Sequence, residues 1–481
     1  MEFKFEFDKE HLKNLEELKK NDYDPYGGRF EVTKHSLEIR RDFEKLENSD
    51  VSVAGRIMAR RDHGKLAFFD LSDEEGSIQI YIQTDALEGR SAGMLRYIDT
   101  GDIVGVFGTV TKTKAGEVSI RAKSITMLSK SLLPIPSKWY GLEDTEKRYR
   151  KRYLDFIMNP KSREKITKGS IILSAIRKLL ESKGFMEVTV PLLQPIPGGT
   201  NAKPFVTHYN SLDRDFYLKI ASELYLKRLL VGGFEKIFDI SKNLRNEGID
   251  TKHNPEFMAF ELYQAYADLG DMIKITEEIV KTAVYAVNKT YSTNFNGHVI
   301  DFSKFQIKTM EDVVRERISD APPATLLDMA KKINGKVNSY GEAINTLFEE
   351  HVEKSLIQPT FITKFPIEVS PLAKAIKDDP CFVYRFELYV GGMELANAFS
   401  ELNDPLDQIK RFEEEASRKE RGIDETQEFD RDFIEALGYG MPPAGGLGIG
   451  LDRLQMIATD SNSIKEVIAF PQIRTIENEE T

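Results

Sequence analysis

A single cysteine, Cys381, stands in 481 residues. That excludes an intramolecular disulfide framework, a cysteine-rich zinc site and an iron–sulfur cluster, and it suits a reducing compartment. Positive charge is also short. Lys and Arg number 67 against 78 Asp and Glu, a formal net charge of −11. A uniformly basic nucleic-acid coat is excluded, although a local basic surface is not. No run of about 18 apolar residues occurs, so no membrane span is expected. The opening MEFKFEFDKEHLKNLEELKK lacks the apolar core of a secretory signal and the Arg/Ser-rich character of a transit peptide. The cytoplasm is the expected address. No G-x-x-x-x-G-K-[ST] or H-E-x-x-H run occurs, and the seven histidines never pair at i, i+4. The run from Gly446 through Gly448 to Gly450 is not G-x-G-x-x-G, and no βαβ pattern follows it.

What is present is a globular balance, 41% hydrophobic and 30% charged. The length allows roughly three folding units. Leu12, Leu15 and Leu18 at helical spacing predict a short surface helix over 8–20. A polar lead-in follows to residue 50. From 51 the period becomes two, in VSVAGRIMARR, KLAFFDLSD, SIQIYIQ, DIVGVFGTVTKT and EVSIRAKSITML. A short helix is expected around 85–97. Five short strands over 51–130 predict a small barrel of the OB type, with a sandwich fragment as the alternative. Residues 131–160 read as a linker. Its cluster Lys147, Arg148, Arg150, Lys151 and Arg152 fits either a phosphate backbone or a packed helix face. Helices and strands then alternate over 161–481, with a polar helical insertion near 310–356.

Four segments gather chemistry. The first is Arg245-Asn246-Glu247-Gly248, a polar loop, then His253-Asn254-Pro255-Glu256-Phe257. Strand-like runs enter and leave it, predicting an antiparallel hairpin with a long loop. On the leaving strand, period two places Phe257, Ala259, Glu261, Tyr263 and Ala265 on one face. A buried acid and phenol there are costly; an edge strand with that face in water is the bland reading. The second is FELYVGGMELANAFSELND, where Glu387, Glu394 and Glu401 recur every seven residues. A turn at Gly391-Gly392 lets Glu387 and Glu394 converge. Two such carboxylates repel unless they share a cation or a proton, and oxygen-only ligands suit Mg²⁺. A solvated acidic hairpin is the alternative. The third is GLGIGLDRLQMI, a glycine-rich turn feeding a helix that starts at Asp452-Arg453. An arginine there can clamp a triphosphate, or simply be capped by its neighbouring aspartate. The fourth, GFMEVTVPLLQPIPGGTNAKPF, reads as a strand ending at Pro191, suited to a subunit interface, then a tight turn at Pro197-Gly198-Gly199.

In this order and at these separations, the four segments resemble the signature motifs of class II aminoacyl-tRNA synthetases, and within them the class II lysyl-tRNA synthetases. The resemblance runs from about 51 to 474 and rests on RNEGIDTKHNPEF, FPIEVSPLAK, GGMELANAFSELNDP and GLGIGLDR. It implies an α+β fold: an N-terminal OB-fold β-barrel for the anticodon, then a catalytic domain with an antiparallel sheet flanked by helices. It implies a homodimer built by the segment around Pro191. It implies that lysine and ATP give lysyl-adenylate and pyrophosphate, and that the lysyl group passes to the 3′-end of tRNA(Lys). Arg245 would bridge the α-phosphate and the lysine carboxylate, with Arg453 as the second catalytic arginine. Glu247, His253 and Asn254 would meet the ATP, Phe257 and Arg453 would flank the adenine, and Gly450 would let the nucleotide approach. Glu387 and Glu394 would hold Mg²⁺, with Glu387 counted at the ATP as well. Gly199 and Glu223 would meet the lysine α-amino group and Asn397 its carboxylate, while Glu261, Tyr263 and Glu401 would enclose the ε-ammonium. Aspartate and asparagine relatives need a positive or neutral pocket, so an acidic one argues against them. In the barrel, Phe68, Gln79 and Glu117 stand where the family reads the anticodon.

Four positions depart from the family's usual residues. Ser222 and Thr475 stand where proline is frequent, Val190 where threonine is, and Met393 where arginine is. The fragment Met127-Leu128-Ser129-Lys130-Ser131 resembles a class I synthetase signature, but its His-x-Gly-His partner is missing. It reads as coincidence at a strand end.

Overall fold

The computed structural model describes residues 6–136, 145–318, 321–420 and 428–474. The chain divides into two compact units, Met1–Arg148 with Tyr153–Pro160, and Tyr149–Arg152 with Lys161–Thr481. No described helix is long and apolar enough to cross a membrane.

In the first unit the alternating runs form β1 (Asp50–His63), β2 (Leu66–Ser72), β3 (Ser77–Gln83), β4 (Ile103–Lys112) and β5 (Val118–Ser129). They close into a barrel in the order β1-β2-β3-β5-β4 rather than a sandwich fragment. Closure leaves no edge unpaired. The alternation decides which side chains enter. Phe69, Leu71, Ile78 and Ile80 fill the core, while Phe68 and Gln79 stay on the outer face, half-buried. The N-terminal helix Lys9–Lys20 is capped by Asp8, which accepts from the amides of Glu10 and His11, and its Leu18 joins the barrel core. The expected lead-in carries two short helices, Ser36–Arg41 and Phe43–Leu46. The helix expected around 85–97 is a single turn, Ser91–Met94, running into a 3₁₀ turn.

The MLSKS fragment is structural. Lys130 is fully enclosed, and its Nζ donates to Asp102 Oδ2 at 2.8 Å, to Asp99 Oδ2 at 2.5 Å and to the Tyr97 carbonyl at 2.9 Å. Burial pushes the Asp102 carboxyl up, and the Lys130 ammonium opposes that.

The second unit is built on one sheet. Its strands are β6 (Met186–Glu187), β10 (Lys236–Leu244), β11 (Glu256–Ala265), β14 (Gln306–Thr309), β15 (Thr360–Pro366), β16 (Ala375–Ile376), β17 (Asp379–Val390), β18 (Met393–Ser400) and β19 (Ala444–Gly450). Side ribbons use β7 (Leu193–Gln194), β8 (Val206–Tyr209) and β9 (Arg214–Leu218), and β12 (Ser292–Phe295) with β13 (His298–Asp301). The sheet order is β14-β15-β17-β18-β19-β11-β10-β6, with β16 paired to β17. All pairs are antiparallel except those at the two ends, β14 with β15 and β10 with β6. Helices Pro160–Ser182 and Leu269–Asn288 bury Ile176, Leu180, Ile279 and Val280 in the sheet's main apolar cluster. Helices Met310–Arg317, Pro323–Ile333 and Tyr340–His351 pack on the β15–β17 end of the sheet, in a second cluster that includes Ile362, Phe365, Val383 and Tyr389.

Two expectations change, and one open pair of readings narrows. The strand expected up to Pro191 pairs over only Met186–Glu187; Pro191 has no amide to offer a ladder. The glycine-rich turn is not a turn: residues 444–450 are a strand inside the sheet, between β18 and β11. The basic cluster at 147–152 is mostly packing. Arg152 is 1% exposed and donates to the Glu466 carbonyl at 2.9 Å, Arg150 donates to the Arg474 carbonyl at 2.5 Å, and Arg148 pairs with Asp155 at 2.8 Å.

Replacing Lys130 by methionine leaves Asp102 as an unmatched buried acid. The Lys130→Met protein should lose about 3–5 kcal/mol of barrel stability in denaturant titration, and an unchanged transition would show that the ion cluster is dispensable.

Candidate functional site

Strands β11, β17, β18 and β19 present one face to a cavity of about 350 Å³. The loop 245–255 and the first turn of helix Leu451–Ala458 line it as well. Glycine makes the room. Gly446, Gly448 and Gly450 lie two apart on β19 and all line the cavity. A Cβ on Gly446 would overlap the Glu401 carboxylate and come within 2.6 Å of the Tyr263 ring, whereas one on Gly448 would meet nothing nearer than 3.8 Å.

The acids sit on both flanks. Strand β11 is interior to the sheet, so the edge-strand alternative for Glu261 fails. Glu261 and Tyr263 are both buried. Glu261 Oε1 accepts from the Ser222 amide at 2.8 Å, a donor that proline could not supply. Burial, reinforced by Glu223 and Asp239, lifts the Glu261 carboxyl to about 7. Asp239 faces Glu261 across the strand pair. It is paired with the buried Lys219 ammonium at 3.1 Å, which also reaches the Ser222 hydroxyl at 3.1 Å. Glu223 begins helix Glu223–Val231 and pairs with Lys227 at 2.6 Å. Glu401 does not line the cavity. It lies at the end of β18 beside Gly446, paired with Lys227, and its Oε1 has no hydrogen-bond partner. Burial lifts Glu223 and Glu401 as well, and the Lys227 ammonium pulls both down.

Glu387 and Glu394 meet across the β17–β18 hairpin. Gly391 and Gly392 turn it with φ of +62° and +70°. The register then slips by one at Leu395, so that Tyr389 faces Glu394 and Glu387 faces Asn397. This bulge puts Glu394 and Asn397, three apart, on one face. Glu387 rises to about 7, chiefly from burial and in part from Glu394, with Arg385 opposing. Arg385 donates to Glu387 at 2.5 Å and to Asn397 Oδ1 at 3.0 Å. Because a guanidinium only donates, the Asn397 amide must turn its NH₂ away from Arg385. Among the described residues no group of three His, Cys, Asp or Glu side chains is arranged to hold a metal by itself. Two convergent carboxylates still fit Mg²⁺ when phosphate oxygens complete the shell.

At the other end, Arg245 stacks 5.1 Å from the Phe257 ring and its Nε is buried without a partner. His253 takes a proton on Nδ1 for Asp250 at 2.8 Å, leaving Nε2 to accept from Arg453 at 3.1 Å. Arg453 also donates to the Glu394 carbonyl at 2.8 Å. Its aspartate neighbour does not cap it. Asp452 instead accepts from the Met258 amide at 2.8 Å, and burial lifts it to about 6. Asn254 lines the cavity, but its side chain holds backbone, donating to the Glu256 carbonyl and accepting from the Gln472 amide. Glu247 is exposed in the loop at the cavity's edge.

The sequence 144–474 matches the family of class II tRNA synthetases for aspartate, lysine and asparagine. The chain belongs to this family. Residues 51–128 match the OB-fold nucleic acid binding domain. The lysine–tRNA ligase of Carboxydothermus hydrogenoformans is 48% identical over 475 residues, 97% of each chain. That of Pelotomaculum thermopropionicum is 48% identical over 96% of this chain and 93% of its own. That of Syntrophomonas wolfei is 46% identical over 98% and 97%.

Of the residues expected at the synthetase site, Gly199, Glu223, Arg245, Glu247, His253, Asn254, Phe257, Glu261, Tyr263, Glu387, Glu394, Asn397, Gly450 and Arg453 line the one cavity. Sequence reading missed Arg385, Gly446, Gly448 and Lys252, which line it too. The even spacing of the three glycines was the available signal. In the barrel, the sequence reading named Phe68 but not its neighbours: the Tyr81 ring lies 5.4 Å from it and His63 6.2 Å. Glu117 is exposed just before β5, and Gln79 Oε1 accepts from Ser119 at 3.0 Å. Met393, at an arginine-rich family position, packs in the main core. Thr475 lies outside the described residues.

Burial raises the Glu261 carboxyl from its ordinary 4.5 to about 7, so across that window the folded state holds the proton more tightly than the unfolded one. The cost of the charge is absent below it and complete above it. Glu261→Gln should therefore gain about 2 kcal/mol more over the native chain at pH 8 than at pH 5.5 in denaturant titration. A pH-independent difference would mean that Glu261 is ordinarily ionised.

Proposed function

We propose that this chain is a lysine–tRNA ligase, activating L-lysine with ATP to lysyl-adenylate and transferring the lysyl group to the 3′-end of tRNA(Lys). One observation carries the choice of amino acid: Glu261, Glu223 and Tyr263 share a cavity face, with Glu401 behind Gly446. A neutral or acidic side chain would leave those acids unmatched. The full-length relatives at 46–48% identity bear the same activity in their names.

The chemistry is an in-line displacement. A lysine carboxylate oxygen attacks the α-phosphorus of ATP and pyrophosphate leaves; no protein nucleophile takes part. Arg245, whose Nε is free of protein partners, stabilises the charge that develops on the α-phosphoryl oxygens and holds the lysine carboxylate. Asn397, held by Arg385, offers its amide to the same carboxylate. Gly199 and Glu223 take the α-amino group, and Glu261 and Tyr263 take the ε-ammonium, with the charge of Glu401 behind Gly446. Phe257 and Arg453 bracket the adenine, Gly450 admits the nucleotide, and Glu247, His253 and Asn254 border it. Glu387 and Glu394 would hold Mg²⁺, which neutralises phosphate charge when bound. The 3′-hydroxyl of the terminal adenosine then attacks the lysyl carbonyl and AMP leaves.

On the barrel, Phe68 with Tyr81 makes an aromatic platform for an unstacked anticodon base, with Gln79 and Glu117 as edge contacts. The exposed apolar side chains Met186, Leu192, Leu193 and Val206 support a homodimer through the segment around Pro191. Charging tRNA for translation gives the chain a cytoplasmic address.

Pyrophosphate exchange with ATP and Mg²⁺, amino acid by amino acid and without tRNA, tests the reading. Exchange is expected with lysine, falling about 100-fold or more in Glu261→Gln. Exchange with aspartate or asparagine instead would overturn it.

A further inference from the structure

Lys227 has no part in the chemistry above and does not line the cavity. It lies one turn after Glu223 on helix Glu223–Val231, and its side chain is fully buried. Such an ammonium is costly unless it is paired. Here it is paired twice, with Glu223 Oε1 at 2.6 Å and with Glu401, while the Phe399 and Phe433 rings stand 5.4 and 6.0 Å away. It thus ties together two acids from different elements, Glu223 at a helix start in the cavity wall and Glu401 at a strand end behind Gly446.

The pocket's charge then follows by counting. Glu223, Glu261 and Glu401 supply three carboxylates, and Tyr263 is a neutral phenol held well above its ordinary pKa. The other charged groups nearby are committed. Arg228, beside Lys227, pairs with Asp430 and Asp432; Lys219 pairs with Asp239; Arg385 on β17 acts on Glu223 from a distance while bound to Glu387 and Asn397. Fully ionised, three acids against one fixed ammonium leave two negative charges, a state that Glu261, raised to about 7 in the empty pocket, completes as a ligand ammonium arrives. Lysine brings two ammonium groups, and its carboxylate belongs with Arg245.

We propose that Lys227 is a built-in counter-ion that sets the amino-acid pocket at two negative charges, holding Glu223 and Glu401 as acceptors for a ligand with two ammonium groups. Lys227 acts through those acids, so it is a positioning residue that determines specificity. Were it absent, a proton would take its place on one of them. A protonated carboxyl donates where an ammonium needs an acceptor. The inference rests on reading the cavity as a lysine site.

The test is pyrophosphate exchange by the full-length Lys227→Met protein, with KM for lysine and for ATP followed from pH 6 to 9. The native protein in the same assay checks the underlying reading: if it does not exchange with lysine, that reading fails whatever Lys227 does. Given native exchange, the variant's KM for lysine should rise about tenfold or more at pH 7. KM for ATP should hold, and the pH at which lysine binding tightens should move up by about one unit. Its preference for lysine over the neutral isostere 6-hydroxynorleucine should shrink. A second variant, Lys227→Met/Glu401→Gln, removes one charge of each sign. It should fold without a stranded buried acid and return the pH midpoint to the native value. An unchanged KM and midpoint in a folded Lys227→Met protein would overturn the proposal. So would a fall in kcat alone, or a double variant whose midpoint stays shifted.

Discussion

Carboxylates crowded into a low-dielectric pocket must find cations or take up protons. The second unit is arranged around that constraint. Glu223, Glu261 and Glu401 come from three separate elements and gather at one end of the site, Glu401 behind Gly446, where each is pushed up by burial. Cations are stationed beside them: Lys227 between Glu223 and Glu401, and Lys219 against Asp239 behind Glu261. The opposite end repeats the pattern with Glu387 and Glu394, where Arg385 and Arg453 lie close. What the protein leaves uncompensated is what its ligands must bring. On the proposed function, an amino acid with two ammonium groups would answer one end, and a metal with a triphosphate the other.

Such a pocket needs backbone without side chains on one wall. β19 provides it through Gly446, Gly448 and Gly450, while Leu447 and Ile449 between them are buried in the main core. The strand is thus anchored by its even partners' neighbours and emptied on the site side. The same alternation orders the barrel, where Phe69 enters the core and Phe68 faces outward. Period two is the device that separates structure from function in both units.

Much of this was legible. The five barrel runs read directly from alternation, and Gly391-Gly392 marked a hairpin that brings Glu387 to Glu394. The acids of the site had ordinary explanations in an edge strand or a solvated hairpin, and the family resemblance was what singled them out. Other features did not read. Glycine disfavours strands, so GLGIG reads as a turn, and only its pairing on both sides makes it a strand. The bulge at Leu395, which aligns Glu394 with Asn397, leaves no trace in composition. Lys227 in ELYLKRLL looks like a surface lysine of an amphipathic helix; its burial depends on Glu401, 174 positions away in sequence. The arginines at 148–152 could not be told from a phosphate-binding face until their carbonyl and carboxylate partners were placed.

Buried acids that complete their ionisation as lysine arrives select the ligand by charge. Calorimetric titration of the native protein with lysine, in buffers of different ionisation enthalpy near pH 7, tests it most directly. Because Glu261 sits near 7 without ligand, an arriving ammonium should drive its proton off, so binding should release protons to the buffer. Proton uptake, or heats that do not depend on the buffer, would contradict the account.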